Sequence, residues 1–138
     1  MAAEQVEFEL VSPEKLLLSE KVEMVVVPGA DGDFGILPRH APLISSLRTG
    51  VIAVYRQNRR DISERIFVDG GFAEVTPERC TVLAEQAVPV GEIDRTSTEQ
   101  QLKDAREDLS DATSEAERKV LERQIARYEG MLQAVAAA

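Results

Sequence analysis

Val51-Ile52-Ala53-Val54-Tyr55-Arg56-Gln57-Asn58-Arg59-Arg60-Asp61-Ile62-Ser63-Glu64-Arg65-Ile66-Phe67-Val68 is the stretch on which the fold class turns. Two apolar runs of strand length flank the polar set Asn58 to Asp61, so the segment reads as a β-hairpin. Downstream, Asp69-Gly70-Gly71 reads as a turn into Phe72 to Val75, and Thr76-Pro77-Glu78-Arg79 as a turn into Cys80 to Ala84, which completes a meander. Upstream, Val6, Phe8 and Leu10 alternate with Glu7 and Glu9, which puts the apolar trio on one face. Ser12-Pro13-Glu14 then turns the chain and Lys15 to Leu18 makes a short run. Val22, Met24 and Val26 alternate with Glu23, Val25 and Val27 in a strand that starts with a wet face, ends covered on both sides, and stops at Pro28-Gly29. Roughly nine or ten such segments fill the chain up to Val88, too closely spaced for crossover helices, and predict a β-sandwich or flattened barrel over residues 1–88.

Beyond Gly91 the punctuation by Pro and Gly nearly vanishes and charged helix formers dominate, so residues 89–138 read as an antiparallel two-helix hairpin and the whole chain as α+β. The first helix carries Leu102, Ala105, Leu109 and Ala112 in a narrow stripe, with a capping box expected at Thr96-Ser97-Thr98-Glu99. The second starts near Ser114 and lines up Ala116, Val120, Leu121, Ile125, Tyr128, Leu132 and Val135. Alanines at the seam and Gly130 within the second helix make this hairpin thinly apolar, hence a movable element that needs a surface to dock on.

A chain of 138 residues buries enough surface for a core without staples. The single cysteine, Cys80, lies in an alternating apolar run and reads as core. A net charge of -9 argues against nucleic acid or anionic lipid as a partner. Met1 to Gln5 has neither a basic nor an apolar stretch, and no apolar run is long enough to cross a bilayer, so a soluble intracellular chain without direct membrane insertion is expected.

Gly29-Ala30-Asp31-Gly32-Asp33-Phe34-Gly35-Ile36-Leu37-Pro38-Arg39-His40-Ala41-Pro42-Leu43 reads as a loop. Its glycines permit positive φ and its prolines fix extended corners, while Phe34, Ile36 and Leu37 either pack inward or form an apolar tip. With Ser12-Pro13-Glu14, Val68-Asp69-Gly70-Gly71-Phe72 and Val82-Leu83-Ala84-Glu85, this pattern resembles the epsilon subunit of the F-type bacterial and chloroplast ATP synthase across the whole chain. The resemblance implies a ten-stranded β-sandwich followed by a helical hairpin, and a non-catalytic subunit of the central stalk (the rotor) of a proton-translocating ATP synthase. That subunit grips the gamma subunit and stands on the ring of c subunits, peripheral to the cytoplasmic face of a bacterial plasma (inner) membrane.

By motif matching, the resemblance implies that Asp33, Phe34, Gly35, Ile36 and Leu37 face the c-ring, and that Ser12, His40 and Ser45 face gamma. Arg39 stands where the family often has Gly. It also implies that the hairpin can reach the alpha and beta subunits and obstruct hydrolysis, with Arg118, Lys119, Arg123 and Arg127 as the candidate inhibitory contacts, although Glu115, Glu117, Glu122 and Glu129 leave that helix without net positive charge. Some relatives bind ATP where this chain has Ile93-Asp94-Arg95-Thr96-Ser97-Thr98. Asp94 is kept as the nucleotide-binding candidate, but Ser97 replaces the arginine that neutralises phosphate, so a helix cap is expected instead and no cofactor.

From the residues themselves, a lone His40 between prolines reads as a hydrogen-bonded corner, and no acid, base or nucleophile accompanies it. Asp31-Gly32-Asp33 lacks the further ligands of a calcium loop, and one histidine with one distant cysteine offers no zinc site, so no metal is expected. The alternative is a free β-sandwich binding module with a coiled-coil dimerisation tail, since sheet and helices alone do not tell intramolecular from intermolecular pairing.

Overall fold

The computed structural model describes residues 4–138, which divide between Pro89 and Val90 into two compact units. The first is all β. Its strands are β1 (Val6–Val11), β2 (Leu16–Val22), β3 (Met24–Gly29), β4 (Gly32–Ile36), β5 (Leu43–Ser46), β6 (Gly50–Tyr55), β7 (Glu64–Val75) and β8 (Arg79–Pro89). Hydrogen-bonded order is β2-β1-β8-β7-β6-β3-β4, with β5 on β7, and only the β1–β8 pair is parallel. The alternation expected in β1 is present: Val6, Phe8 and Leu10 are buried and their neighbours half-buried. They meet Val25, Val27, Ile36, Ile52, Val54 and Val82 in a single core.

The sandwich class is as read, but the described residues hold eight strands rather than ten. Part of the difference lies at Gly70-Gly71, which do not reverse the chain. Their φ values of 77° and 122° let β7 bend and continue. A Cβ on Gly71 would stand 2.0 Å from the Leu83 carbonyl oxygen, so glycine is required there for space as well as for φ. β5 and β6 lie end to end along β7, with Ser46 opposite Phe72 and Gly50 opposite Val68 on either side of the bend. A second difference is at Glu23, where the run from Val22 to Val27 breaks into two strands, so burial passes from Val22 to Val25 and Val27. A third is the supposed loop at 29–43, within which Gly32–Ile36 form the strand β4.

The second unit begins with a 3-10 turn, Val90–Glu92, followed by α1 (Arg95–Ser110) and α2 (Glu115–Ala137), which pack on each other. Ser114 caps α2, its side chain accepting from Glu117 N at 3.1 Å. The cap of α1 is Asp94, not Thr96: its carboxylate accepts from Ser97 N at 3.1 Å and its carbonyl from Thr98 N at 2.9 Å. An ionised carboxylate satisfies an orphan N–H of the first turn and complements the helix dipole, and so prevails over the hydroxyl downstream. Leu102, Ala105, Leu121 and Ala134 are buried, whereas Val120, expected in the seam, is 56 % exposed. No helix among the described residues is long and apolar enough to cross a membrane.

Candidate functional site: a hairpin tip and an apolar sheet face

The tip of the β3–β4 hairpin is the first candidate. Gly29 pairs with Gly32 across the two-residue turn Ala30-Asp31, and Gly32 has φ 138°. Gly29 and Gly35 have ordinary φ, contrary to the expectation of three permissive glycines. Gly29 is needed for another reason: a Cβ there would lie 2.8 Å from the Phe34 ring, which packs against the core rather than standing out as an apolar tip. Ile36 is wholly buried, so its side chain supports the hairpin from inside and cannot be displayed to a partner. Asp33, Gly35 and Leu37 are exposed. Asp33 is ion-paired with Arg48.

Next to it lies a turn over Leu37-Pro38-Arg39-His40, closed by His40 N donating to Leu37 O at 3.2 Å. Pro38 follows the first corner and Arg39 takes φ 66°, the arrangement of a type II turn, whose third position favours glycine. Arg39 is held by its backbone N donating to Pro77 O at 2.7 Å and by an exposed ion pair to Glu4 at 2.6 Å. His40 Nδ1 lies 2.7 Å from Ala41 O. A carbonyl only accepts, so Nδ1 carries the hydrogen and the ring is fixed to the backbone of the next residue.

The second candidate was not foreseen as a surface. Ser46, Phe72, Leu83, Val11 and Leu16 stand opposite one another on β5, β7, β8, β1 and β2. Residues in direct register share a face, so they form one row roughly 19 Å long, at about 4.8 Å per strand. Phe72 is 42 %, Leu83 38 % and Leu16 56 % exposed, and Ile44, two residues before Ser46 on the same face, is 70 % exposed. Solvated sheet faces normally alternate to polar residues, so a continuous apolar row signals a covered surface. Ser12 follows Val11 directly and turns the chain, its N and Oγ both donating to Lys15 O. Ser45 lies between Ile44 and Ser46, its Oγ donating to Ser46 O at 3.0 Å. The signal in the sequence was Val82-Leu83-Ala84 and Leu16-Leu17-Leu18, where apolar residues do not alternate.

In the second unit, Asp94 is occupied as a cap and is not among the residues of a groove of about 420 Å³ along α1, lined by Glu99, Leu102, Lys103, Arg106, Glu107 and Ser110. Arg106 there is paired with Glu129 at 3.2 Å. Arg118, Lys119 and Arg123 are exposed on α2 and Arg127 is half-buried, with Glu115 and Glu117 in the same helix's first turn.

Cys80 is fully buried, and burial pushes its thiol up to about 12. Glu20, Arg56 and Glu64 form an acid–base–acid bridge between β2, the end of β6 and β7. The hydrogen bond from Arg56 to Glu64, with Glu20 adding to it, holds the guanidinium above its usual range despite some desolvation. Among the described residues no three His, Cys, Asp or Glu side chains are placed to hold a metal ion.

Two family models match the sequence: "ATP synthase, Delta/Epsilon chain, beta-sandwich domain" over residues 5–90, and the C-terminal domain of the ATP synthase epsilon subunit over residues 94–138. The ATP synthase epsilon chain of Rhodospirillum centenum is 54 % identical, over 97 % of this chain and 94 % of its own. That of Paramagnetospirillum magneticum is 52 % identical, over 97 % of this chain and 99 % of its own. Among solved structures, a chain of the Euglena gracilis mitochondrial ATP synthase, OSCP/F1/c-ring, shares the fold with a TM-score of 0.80 at 24 % identity, covering 96 % of this chain and 82 % of that one. Agreement at this level along nearly the full length of its bacterial relatives means that the chain belongs to the ATP synthase epsilon chain family.

Proposed function

We propose that this chain is a non-catalytic subunit of the rotor's central stalk in a proton-translocating ATP synthase, joining the gamma subunit to the ring of c subunits. Family membership supports the assembly, and the observation that carries the arrangement is the apolar row through Leu16, Val11, Leu83 and Phe72 with Ile44 beside it. Covering about five such side chains supplies the fixed grip that torque transfer needs, since apolar burial is worth roughly 25 cal/mol per Å². Gamma is assigned to this face, with Ser12 and Ser45 at its margins and His40 at the neighbouring turn. The c-ring is assigned to the β3–β4 tip, where Asp33, Gly35 and Leu37 are exposed and Phe34 and Ile36 shape the strand from within.

Bond chemistry has no place in this reading, in which the Cys80 thiol is buried and His40 is tied to the Ala41 carbonyl. The β unit ending at Pro89 forms the clamp and foot, and the unit from Val90 to Ala138 acts separately as a regulatory arm. Arg118, Lys119, Arg123 and Arg127 are the groups offered to acidic surfaces of the alpha and beta subunits. Asp94 serves the helix rather than a nucleotide. The protein works at the cytoplasmic face of a bacterial plasma membrane, held there by gamma and the ring.

The test is binding of the full-length Phe72→Asp and Leu83→Asp variants to purified gamma. Each is expected to weaken association at least roughly tenfold, as loss of a central interface anchor does. A stable homodimer indifferent to gamma overturns the proposal, since that is the behaviour of a free module with a dimerisation tail.

A further inference from the structure

The β3–β4 tip is braced by a segment that carries no turn motif. Ala30 N donates to Ser46 O at 2.9 Å, Arg48 N donates to Pro28 O at 3.0 Å, and Leu47 bridges to Gly29 between them. The Arg48 side chain completes the brace. Its Nη1 donates to Gly29 O at 2.6 Å on β3, and its Nη2 pairs with the Asp33 carboxylate on β4. Gly29–Gly32 and Pro28–Asp33 are the last paired residues before the turn, so one guanidinium ties both strands at the point where the hairpin leaves the sheet.

A two-stranded hairpin is marginal by itself, and a tip that yields under load transmits none of it. A planar fork with several donors reaches a carbonyl and a carboxylate together, which an ammonium on a flexible stem does less well. We propose that Arg48 is the positioning residue of the tip, locking residues 29–33 into one conformation by anchoring on Gly29 O and Asp33, and that this stiffness sets how tightly the stalk is coupled to the ring. The coupling half rests on the foot reading given above. Asp33 then anchors the tip while staying exposed beside Ala30 and Asp31 at the apex, and these residues together are what the ring meets.

Two readouts test it in the full-length protein. Amide exchange at Ala30 is measured in Arg48→Ala and Arg48→Lys, with Val54 and Val82 amides as core references. Protons pumped per ATP hydrolysed are measured in membrane vesicles carrying the complex reassembled with each variant. Arg48→Ala is expected to speed Ala30 exchange roughly tenfold relative to the references and to lower the pumping ratio, with Arg48→Lys between it and the unaltered protein in both. Unchanged Ala30 exchange in Arg48→Ala overturns the proposal, and so does faster exchange with an unaltered pumping ratio. The foot reading is checked separately, by crosslinking of Asp31→Cys to the ring in a protein that keeps Arg48, so the two failures are distinguishable.

Discussion

Replacing Arg39 by glycine is predicted to stabilise the protein although it removes an ion pair. Arg39 sits at φ 66° in the third position of the Leu37–His40 turn. A side chain in the left-handed region costs about 1–2 kcal/mol, and glycine relieves nearly all of it. Against this, glycine gains backbone freedom in the unfolded chain worth about 0.5–1 kcal/mol. The pair with Glu4, between side chains that are 79 % and 56 % exposed, is worth a few tenths of a kcal/mol at most. The net expectation is a gain of about 0.5 kcal/mol, which raises the melting temperature by about 2–3 °C. Arg39→Ala isolates the terms, because it loses the pair and keeps the strain, and it should fall about 1 kcal/mol below Arg39→Gly. Urea denaturation with a shared m-value resolves that difference. If Arg39→Gly proves no more stable than Arg39→Ala, the strain argument is refuted.

Other expectations follow from single observations. Gly71→Ala, whose Cβ would meet the Leu83 carbonyl oxygen at 2.0 Å, should cost about 3 kcal/mol or more or prevent folding, whereas Gly35→Ala, with its nearest neighbour at 3.8 Å, should leave stability within about 1 kcal/mol. Cys80 should resist thiol reagents in the native protein and react only on unfolding. Its pKa is raised from 9.0 to about 12, so the folded state binds the proton more tightly. The stability it confers is complete below pH 9.0 and declines toward about pH 12 with a slope approaching 1.4 kcal/mol per unit, and Cys80→Ala should abolish that part of the alkaline slope. Asp94→Ala should destabilise the start of α1 by about 1 kcal/mol, seen as faster amide exchange in its first turn.

Where periodicity or a cap is local, the sequence announces it: Val6-Phe8-Leu10 lie inside as their alternation requires, and Ser114 caps α2. Misreadings arose where one residue type serves two purposes. Glycine at 70 and 71 looks like a turn but provides a bend, and glycine at 29 and 35 looks like loop but sits in paired strands. The two candidate surfaces were only half visible. The motif singled out Asp33 and Leu37, which are exposed, but the burial of Ile36 and the inward Phe34 depend on strands distant in sequence. Leu83 and Phe72 were given no surface role, because a strand apolar on both sides is indistinguishable from a central one until its outer face is found bare. Arg48 carries no local signal, since its partners lie 15 and 19 residues away.

The most direct measurement is single-cysteine crosslinking in the assembled complex, in which buried Cys80 can remain because it is inert. Ser12→Cys is predicted to join gamma and Asp31→Cys to join a subunit of the ring, each in high yield. Crosslinks with the partners exchanged, or none from either position in a complex that still contains this protein, would contradict the assignment of the apolar face to gamma and the hairpin tip to the ring.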